Sequence, residues 1–156
     1  MSRISHVYVN GDVLLYCVSW EGKFYMPYMA DIPGNFYVGR RLFVSGLMLK
    51  AAKQFQIDLH AGADIACRVI VALPSKKVLR TTRLNNHWEP QLRIGDSEFL
   101  FKRKQTFDLL LYCGEDRFEM LVNDCPFASF PHRIPASQIN KLSIEGDISL
   151  LGVHLK

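Results

Sequence analysis

The chain has 156 residues, of which 49% are hydrophobic and 22% are charged. These values fit one globular domain with a sizeable core, and they exclude a disordered or low-complexity chain. The formal net charge is only +4, and the lysines and arginines are scattered, so the charge does not favour a nucleic-acid partner. The densest basic cluster, Lys102-Arg103-Lys104, is interpreted as a solvated turn.

The first 23 residues differ in pattern from the rest of the chain. Val7 and Val9 followed by Asn10-Gly11 predict a hairpin, with a second strand at residues 13–18. This apolar run is too short for a membrane helix or a signal-peptide core. We therefore expect entry into the cytosol and no membrane insertion, with export without a signal peptide left open. Residues 1–23 are predicted to be an extension, either an extra edge strand or a partner-facing arm, and residues 24–156 the main domain.

From residue 24 onward the dominant signal is a period of two. Phe55, Ile57 and Leu59 alternate with polar residues, which is typical of a half-buried strand. A strand at 42–49 contains Ser45-Gly46, a predicted bulge. Further strands are predicted at 67–73, 78–83, 99–104, 107–113, 118–122, 127–130, 142–144 and 148–155, and one helical turn at 135–140. About ten short strands without a long helix predict an all-β, two-sheet antiparallel jelly-roll sandwich.

The sequence motifs of common enzymes and metal sites do not occur. No G-x-S-x-G, Walker loop, H-E-x-x-H or C-x-x-C is found, so we expect no cofactor, no metal site and reduced thiols. A jelly-roll glycosidase needs two carboxylates facing one bond. The pairs with suitable spacing, Asp96 with Glu98 and Glu145 with Asp147, lie next to glycines and are interpreted as turns. The sequence therefore predicts a non-enzymatic domain.

Residues 83–93, RLNNHWEPQLR, are the candidate binding stretch. Trp88 follows polar turn residues, and an indole ring in such a place is often semi-exposed at a binding surface. In a strand, Gln91 and Arg93 would share one face beside the ring. A flat stacking surface flanked by planar hydrogen-bonding groups suits a sugar ligand. The alternative is that Trp88 closes a hairpin and Arg93 is a solvated charge.

Several ordered matches identify a family resemblance. The matching stretches are FQIDL at 55–59, GADIA at 62–66, W-x-x-x-x-R within 78–93, FEMLVND at 118–124, His132-Arg133 and LSIEGDI at 142–148. With these, residues 24–156 resemble the galectin family of β-galactoside-binding lectins. The resemblance implies a jelly roll of the galectin or concanavalin A-like type and glycans or glycoproteins as partners.

The family's sugar-reading motif, H-x-N-P-R on one strand, fits poorly. One alignment register places Arg68, Ile70 and Ala72 at the three sugar-reading positions, and a second places Val71, Leu73 and Ser75 there. Neither register keeps any of the three side chains that read the axial 4-hydroxyl of galactose in the family. The resemblance therefore implies a galactoside site that has lost most of its hydroxyl readers.

The remaining positions of the motif are partly kept. Trp88 and Arg93 match the family's Trp and Arg, whereas Thr81 replaces an Asn and Gln91 replaces a Glu. The expected glycan-binding residues are therefore Trp88, Arg93, Gln91, Arg68 and Thr81. Each lost hydrogen bond costs about 0.5–1.5 kcal/mol, so we expect altered or weakened β-galactoside binding.

Two alternatives for the partner stay open. Gln91 neutralises Arg93 less than a Glu would, and the same holds for Arg80 and Arg68 if they face the groove. This suggests an anionic glycan, unless these arginines are simply solvated. The other alternative is a protein-interaction domain that keeps the galectin fold but has lost sugar binding. The sequence also leaves a homodimer open.

Overall fold

The structure is a computed structural model, and it describes residues 6–9, 12–15, 24–93 and 99–156. Its strands are β1 (His6–Val9), β2 (Asp12–Leu15), β3 (Tyr28–Asp31), β4 (Arg41–Met48), β5 (Gln54–Ala61), β6 (Asp64–Ala72), β7 (Lys77–Leu84), β8 (His87–Trp88), β9 (Leu92–Arg93), β10 (Thr106–Cys113), β11 (Arg117–Val122), β12 (Cys125–Pro131), β13 (Lys141–Gly146) and β14 (Ile148–Leu155). The single helical element in these ranges is a 3-10 turn at Ala136–Gln138, inside the predicted helical turn. No helix of the described part is long and apolar enough to cross a membrane.

The strands form two antiparallel sheets. The first sheet has the order β1-β2-β14-β4-β10-β11-β12, and the second has the order β3-β13-β5-β6-β7-β8, with β9 also pairing with β7. Five of the eleven neighbour pairs in these orders join strands that are distant in sequence, and such long connections are typical of a jelly roll. The predicted two-sheet jelly-roll sandwich is therefore confirmed.

The N-terminal residues contribute a hairpin at one edge of the first sheet. β1 pairs with β2, and β2 pairs with the end of β14. The predicted hairpin turn at Asn10-Gly11 and residues 16–18 of the predicted second strand lie outside the described residues. The division of the chain between residues 23 and 24 stays a prediction.

The core lies between the two sheets and follows the predicted alternation. Phe55, Ile57 and Leu59 of β5 are at most 1% exposed. The ring centroid of Phe55 is 5.2 Å from that of Phe107 on β10 and 5.7 Å from that of Phe101. Apolar faces of opposing sheets bury each other in this way, and this burial is the main stabilising term of a sandwich.

Two local predictions are wrong. Residues 99–104 form no strand, and Phe101 enters the core from a loop. The apolar residues at 99–101 indicate burial, but burial does not require strand pairing. The bulge lies on β14, where the register shifts between Leu150 and Gly152 opposite Ser45-Gly46. Gly46 is needed for packing instead, because a Cβ there would lie 2.8 Å from the Phe107 ring.

The turn between β7 and β8 places the tryptophan. Asn85 and Asn86 have φ values of 52° and 65°, which is the backbone of a two-residue hairpin turn of type I′. Asparagine tolerates this left-handed conformation better than most residues. The turn folds β8 back so that Trp88 lies opposite Arg83.

We expect Gly146→Ala to lower the free energy of unfolding by about 3 kcal/mol, since Gly146 combines a positive φ with a close approach. Its φ is 118°, and a Cβ would lie 2.5 Å from Phe55 Cα. Gly62→Ala is the matched control, because Gly62 has a φ of 62° but no atom within 4 Å of its Cβ position. That control should lose only about 1 kcal/mol. Urea unfolding measures both, and equal losses would contradict the role of the close approach.

Candidate functional site

The candidate site lies on the outer face of the second sheet. Its inner face is mostly apolar. On the outer face, Ser143, Asp58, Arg68 and Thr81 lie side by side on β13, β5, β6 and β7. Residues that are directly paired on neighbouring strands share a face of the sheet. A polar row therefore crosses the middle of the outer face.

Asp58 and Arg68 form a two-point ion pair at the centre of this row. Arg68 Nε donates to Asp58 Oδ1 and Arg68 Nη2 donates to Asp58 Oδ2, each at 2.8 Å. Gln56 Nε2 donates to the same Oδ2 at 3.2 Å, and Asp58 is only 4% exposed. The hydrogen bonds to Asp58 raise the pKa of the Arg68 guanidinium. The charge of Arg68 is thus compensated inside the protein.

Trp88 stands at the edge of the same face and is 45% exposed. The guanidinium carbon of Arg68 lies 4.5 Å from the centroid of the indole ring, and that of Arg83 lies 5.7 Å from it. Both distances are within the range of cation–π attraction. Because Arg68 reaches the ring from β6, its guanidinium covers the ring from the side of the sheet centre. A ligand that stacks on that side must displace Arg68.

Arg83 differs from Arg68 in its partners. Its Nη2 donates to the Ala63 carbonyl at 3.1 Å, and its Nε is buried without a hydrogen-bond partner. Within the described ranges, no carboxylate forms an ion pair with it. Arg83 is therefore a cation beside Trp88 whose charge is not compensated by an ion pair with any described carboxylate.

The other predicted site residues are placed differently. Thr81 is 3% exposed, and its Oγ1 donates to the Glu89 carbonyl at 2.7 Å, so this hydroxyl holds the segment after Trp88. Gln91 is exposed in the connection between β8 and β9. The backbone of Arg93 pairs with Leu79 in β9, and its side chain lies outside the described part. The structure thus brings Arg68 and Trp88 together, and it places Thr81 beside Arg68.

The geometry also separates the two alignment registers. Val71 and Leu73 are 0% and 5% exposed and belong to the core, so they cannot line an outer groove. Ile70 and Ala72 alternate with them and share the outer face with Arg68. The outer-face positions of β6 are therefore those of the first register.

Arg80 lies on the opposite side of its strand from the groove. It is 5% exposed and points between the sheets, where its Nη1 donates to the Ser129 carbonyl on β12 at 2.7 Å. Burial lowers the pKa of its guanidinium. Arg80 therefore joins the two sheets and adds no charge to the groove. The groove is less positive than it would be if Arg80 faced it, as the sequence left open.

Sequence reasoning considered His60 only as a metal ligand, together with Asp58 and Asp64, and did not assign it to the binding site, although it extends the polar face. Its Nε2 lies 2.8 Å from Ser143 Oγ. Burial lowers the pKa of His60; Asp58 opposes this, and Arg68, Lys141 and Arg83 add to it. The sequence signal for this placement was that His60 lies two residues after Asp58 and so on the same face of β5.

The lowered pKa of His60 predicts a stability that depends on pH. In the unfolded chain His60 binds a proton below its ordinary pKa of about 6.5, whereas in the native state it binds one only at lower pH. The free energy of unfolding therefore decreases as pH falls from about 7.5 to 5. His60→Gln should lose less over the same range. Urea unfolding of both proteins at the two pH values measures the difference. An equal pH dependence of the two would contradict the inference.

The carboxylate pairs whose spacing could suit a glycosidase are Asp96 with Glu98 and Glu145 with Asp147. Asp96 and Glu98 lie outside the described residues. Asp147 Oδ2 accepts the backbone N–H groups of Lys53 and Gln54 at 2.9 and 3.3 Å, as a turn residue does. In the ranges that the structure describes, no group of three or more His, Cys, Asp or Glu residues could hold a metal ion.

Comparison with known proteins gives a consistent family match. Residues 27–155 match the galactoside-binding lectin family. A 32 kDa beta-galactoside-binding lectin of Caenorhabditis elegans is 34% identical over 100% of this chain, and mouse Galectin-6 is 30% identical over 99% of it. The chain spans 56% and 58% of the length of these two relatives, or little more than half.

Solved structures share the fold. The Caenorhabditis elegans galectin LEC-6 superposes with a TM-score of 0.78, at 21% identity over 90% of this chain and 99% of its own. A variant of human galectin-16 superposes with a TM-score of 0.79, at 23% identity over 86% of this chain and 97% of its own. At these sequence identities, the similarity shows that the β-sandwich fold is shared.

Proposed function

As this chain belongs to the galactoside-binding lectin family, the galectins, we propose that it is a glycan-binding module with an atypical groove and weakened β-galactoside binding. Members of the family are carbohydrate-binding lectins and not enzymes. The observation that carries the proposal is the Arg68 guanidinium, which Asp58 holds 4.5 Å from the centre of the Trp88 ring.

The first reason for weak binding is the position of Arg68. A sugar that stacks on Trp88 from the sheet centre must move this guanidinium away from the ring. The movement breaks two charge-assisted hydrogen bonds to Asp58, each worth about 1.5–3 kcal/mol. New hydrogen bonds from Arg68 to the sugar would offset only part of this cost.

The second reason is the loss of hydrogen-bonding side chains next to Arg68. Ile70 and Ala72 share its face and offer no side-chain donor or acceptor. Thr81 is already bonded to Glu89. A sugar hydroxyl facing these residues loses its water without gaining a partner, which discriminates strongly against binding.

We expect a triple variant, Arg68→His with Ile70→Asn and Ala72→Arg, to bind lactose at least about tenfold more tightly than the wild type. It uncovers the ring and restores the three family side chains, each worth about 0.5–1.5 kcal/mol. Isothermal titration calorimetry measures both affinities. Adding Trp88→Ala to the triple variant is the control and should remove the gain. A wild type that binds lactose as tightly as the triple variant would sink the proposal.

We further propose an anionic glycan as the preferred ligand. Arg83 supports this, because its guanidinium carbon lies 5.7 Å from the Trp88 ring centroid and it forms no ion pair with a described carboxylate. Arg68 contributes less, since Asp58 neutralises it. A sulfate or carboxylate on a sugar that contacts Trp88 would find charge-assisted donors in Arg83.

A glycan array should therefore give stronger binding to sulfated or sialylated glycans than to their neutral parents, and Arg83→Gln should remove the difference. Added salt should weaken the anionic binding, because exposed charges are screened. Arg41→Gln is the matched control, since Arg41 is an exposed cation on β4 of the other sheet. Equal binding of charged and neutral glycans by the wild type would refute the anionic preference.

A protein-interaction domain is the second candidate function. It is favoured by the internal bonding of the outer face, where Arg68, Thr81 and His60 all have partners within the protein. A wild type that binds neither lactose nor any glycan of the array would select this candidate. A protein partner whose binding survives Trp88→Ala would then support it.

A further inference from the structure

The end of the sandwich away from Trp88 brings three turns together. They are residues 49–53 between β4 and β5, residues 73–76 between β6 and β7, and residues 102–105 before β10. Leu73 N–H donates to the Lys53 carbonyl, and Lys104 N–H donates to the Met48 carbonyl, both at 2.9 Å. Arg103 Nε donates to the Ala52 carbonyl, also at 2.9 Å. These bonds make the three turns one connected surface, which we call the basic end.

The basic end carries an excess of positive charge. Seven cations on it or at its border are exposed: Lys50, Lys53, Lys76, Lys77, Lys102, Arg103 and Lys104. None of the ion pairs found in the described ranges involves them. The nearby turn between β13 and β14 supplies two carboxylates, Glu145 and Asp147, and Asp147 is engaged by backbone N–H groups. The seven exposed cations outnumber these two carboxylates, so the basic end carries a net positive charge.

An apolar side chain lies among these cations. Leu49 is 43% exposed and directly precedes Lys50 on the first turn. A nucleic acid backbone or a sulfated polysaccharide offers phosphate or sulfate groups but no apolar layer beneath them. A phospholipid bilayer offers both, and basic surfaces with exposed apolar side chains bind at its interface.

We propose that the basic end is a docking site for an anionic phospholipid surface. The lysines contact the headgroup phosphates and carboxylates, and Leu49 enters the boundary between headgroups and acyl chains. Six of the seven cations are lysines, which act as point charges and suit a fluid array of headgroups better than a fixed two-point acceptor. The inference does not depend on what the Trp88 face binds.

The two surfaces are separated along the sheet. Lys77 begins β7 at the basic end, and Trp88 pairs with Arg83, six residues further along the same strand. At about 3.3 Å per residue this is about 20 Å. A domain docked by its basic end therefore keeps its Trp88 face in water.

Vesicle flotation tests the proposal with the whole chain. We expect the wild type to float with vesicles of phosphatidylcholine mixed with phosphatidylserine at about 0.1 M NaCl, and to remain free at about 0.5 M NaCl or with phosphatidylcholine alone. Lys50→Glu with Lys102→Glu and Lys104→Glu should lower the bound fraction at least tenfold. The matched control reverses three cations elsewhere, Arg41, Arg117 and Lys141, and should retain most of the binding. Far-ultraviolet circular dichroism checks that each variant is folded.

Leu49→Ser separates a lipid surface from a soluble polyanion. It should weaken vesicle binding several-fold and leave retention on a heparin column unchanged. Lack of flotation with the mixed vesicles at about 0.1 M NaCl would overturn the proposal. An equal loss in the control triple variant would also overturn it, as would vesicle binding that is indifferent to Leu49→Ser, since both point to general attraction between opposite charges.

Discussion

The ion pair between Asp58 and Arg68 is the constraint on which the candidate site depends. Asp58 is nearly fully buried, so its charge is tolerable only with a well-placed partner, and Arg68 provides two short hydrogen bonds. Removing one member of such a pair typically costs about 3–5 kcal/mol. The two residues therefore require each other. The ion pair also holds the Arg68 guanidinium over the Trp88 ring. The same interaction therefore stabilises the sheet and covers one side of the ring.

The fold could be predicted because its signal is local. The alternation of Phe55, Ile57 and Leu59 is set by the geometry of a strand with one buried face, and it needs no knowledge of the partner strand. The strand predicted at residues 99–104 is wrong, and this stretch has no such alternation. Phe101 is buried against Phe55 and Phe107, but it lies in a loop. Burial and strand pairing are separate properties, and a short run of apolar residues indicates only burial.

The candidate site was less predictable, because it depends on register between strands. Trp88 and the altered residues on β6 could be read from the sequence, but the contact of Arg68 with Asp58 could not. The register of β5 and β6 shifts by one residue where Ala66 is inserted, and this shift moves Arg68 opposite Asp58. If the register of the hairpin end, His60 with Ile65, continued without this shift, Cys67 would face Asp58. A bulge of this kind leaves little trace in the residue pattern.

Arg80 illustrates the same limit on β7. Val78, Arg80 and Thr82 point inward, while Leu79, Thr81 and Arg83 point outward. Polarity alone would favour the opposite placement of Leu79 and Arg80. The carbonyl of Ser129 on the other sheet makes the inward arginine acceptable, since it accepts a hydrogen bond from Nη1. Only the three-dimensional pairing of the two sheets supplies that acceptor.

The proposed weak glycan site and the proposed basic docking surface would have a joint consequence on one domain. A domain docked on an anionic surface that also carries glycans would meet those glycans at an effective concentration that reaches the millimolar range. Under that condition a site that has lost several hydrogen bonds can still be occupied, because attachment at one end lowers the entropic cost of binding at the other. Low affinity for free lactose and glycan binding at a surface are thus compatible in this chain. The separation of Trp88 from the basic end, about 20 Å along β7, lets both contacts form together.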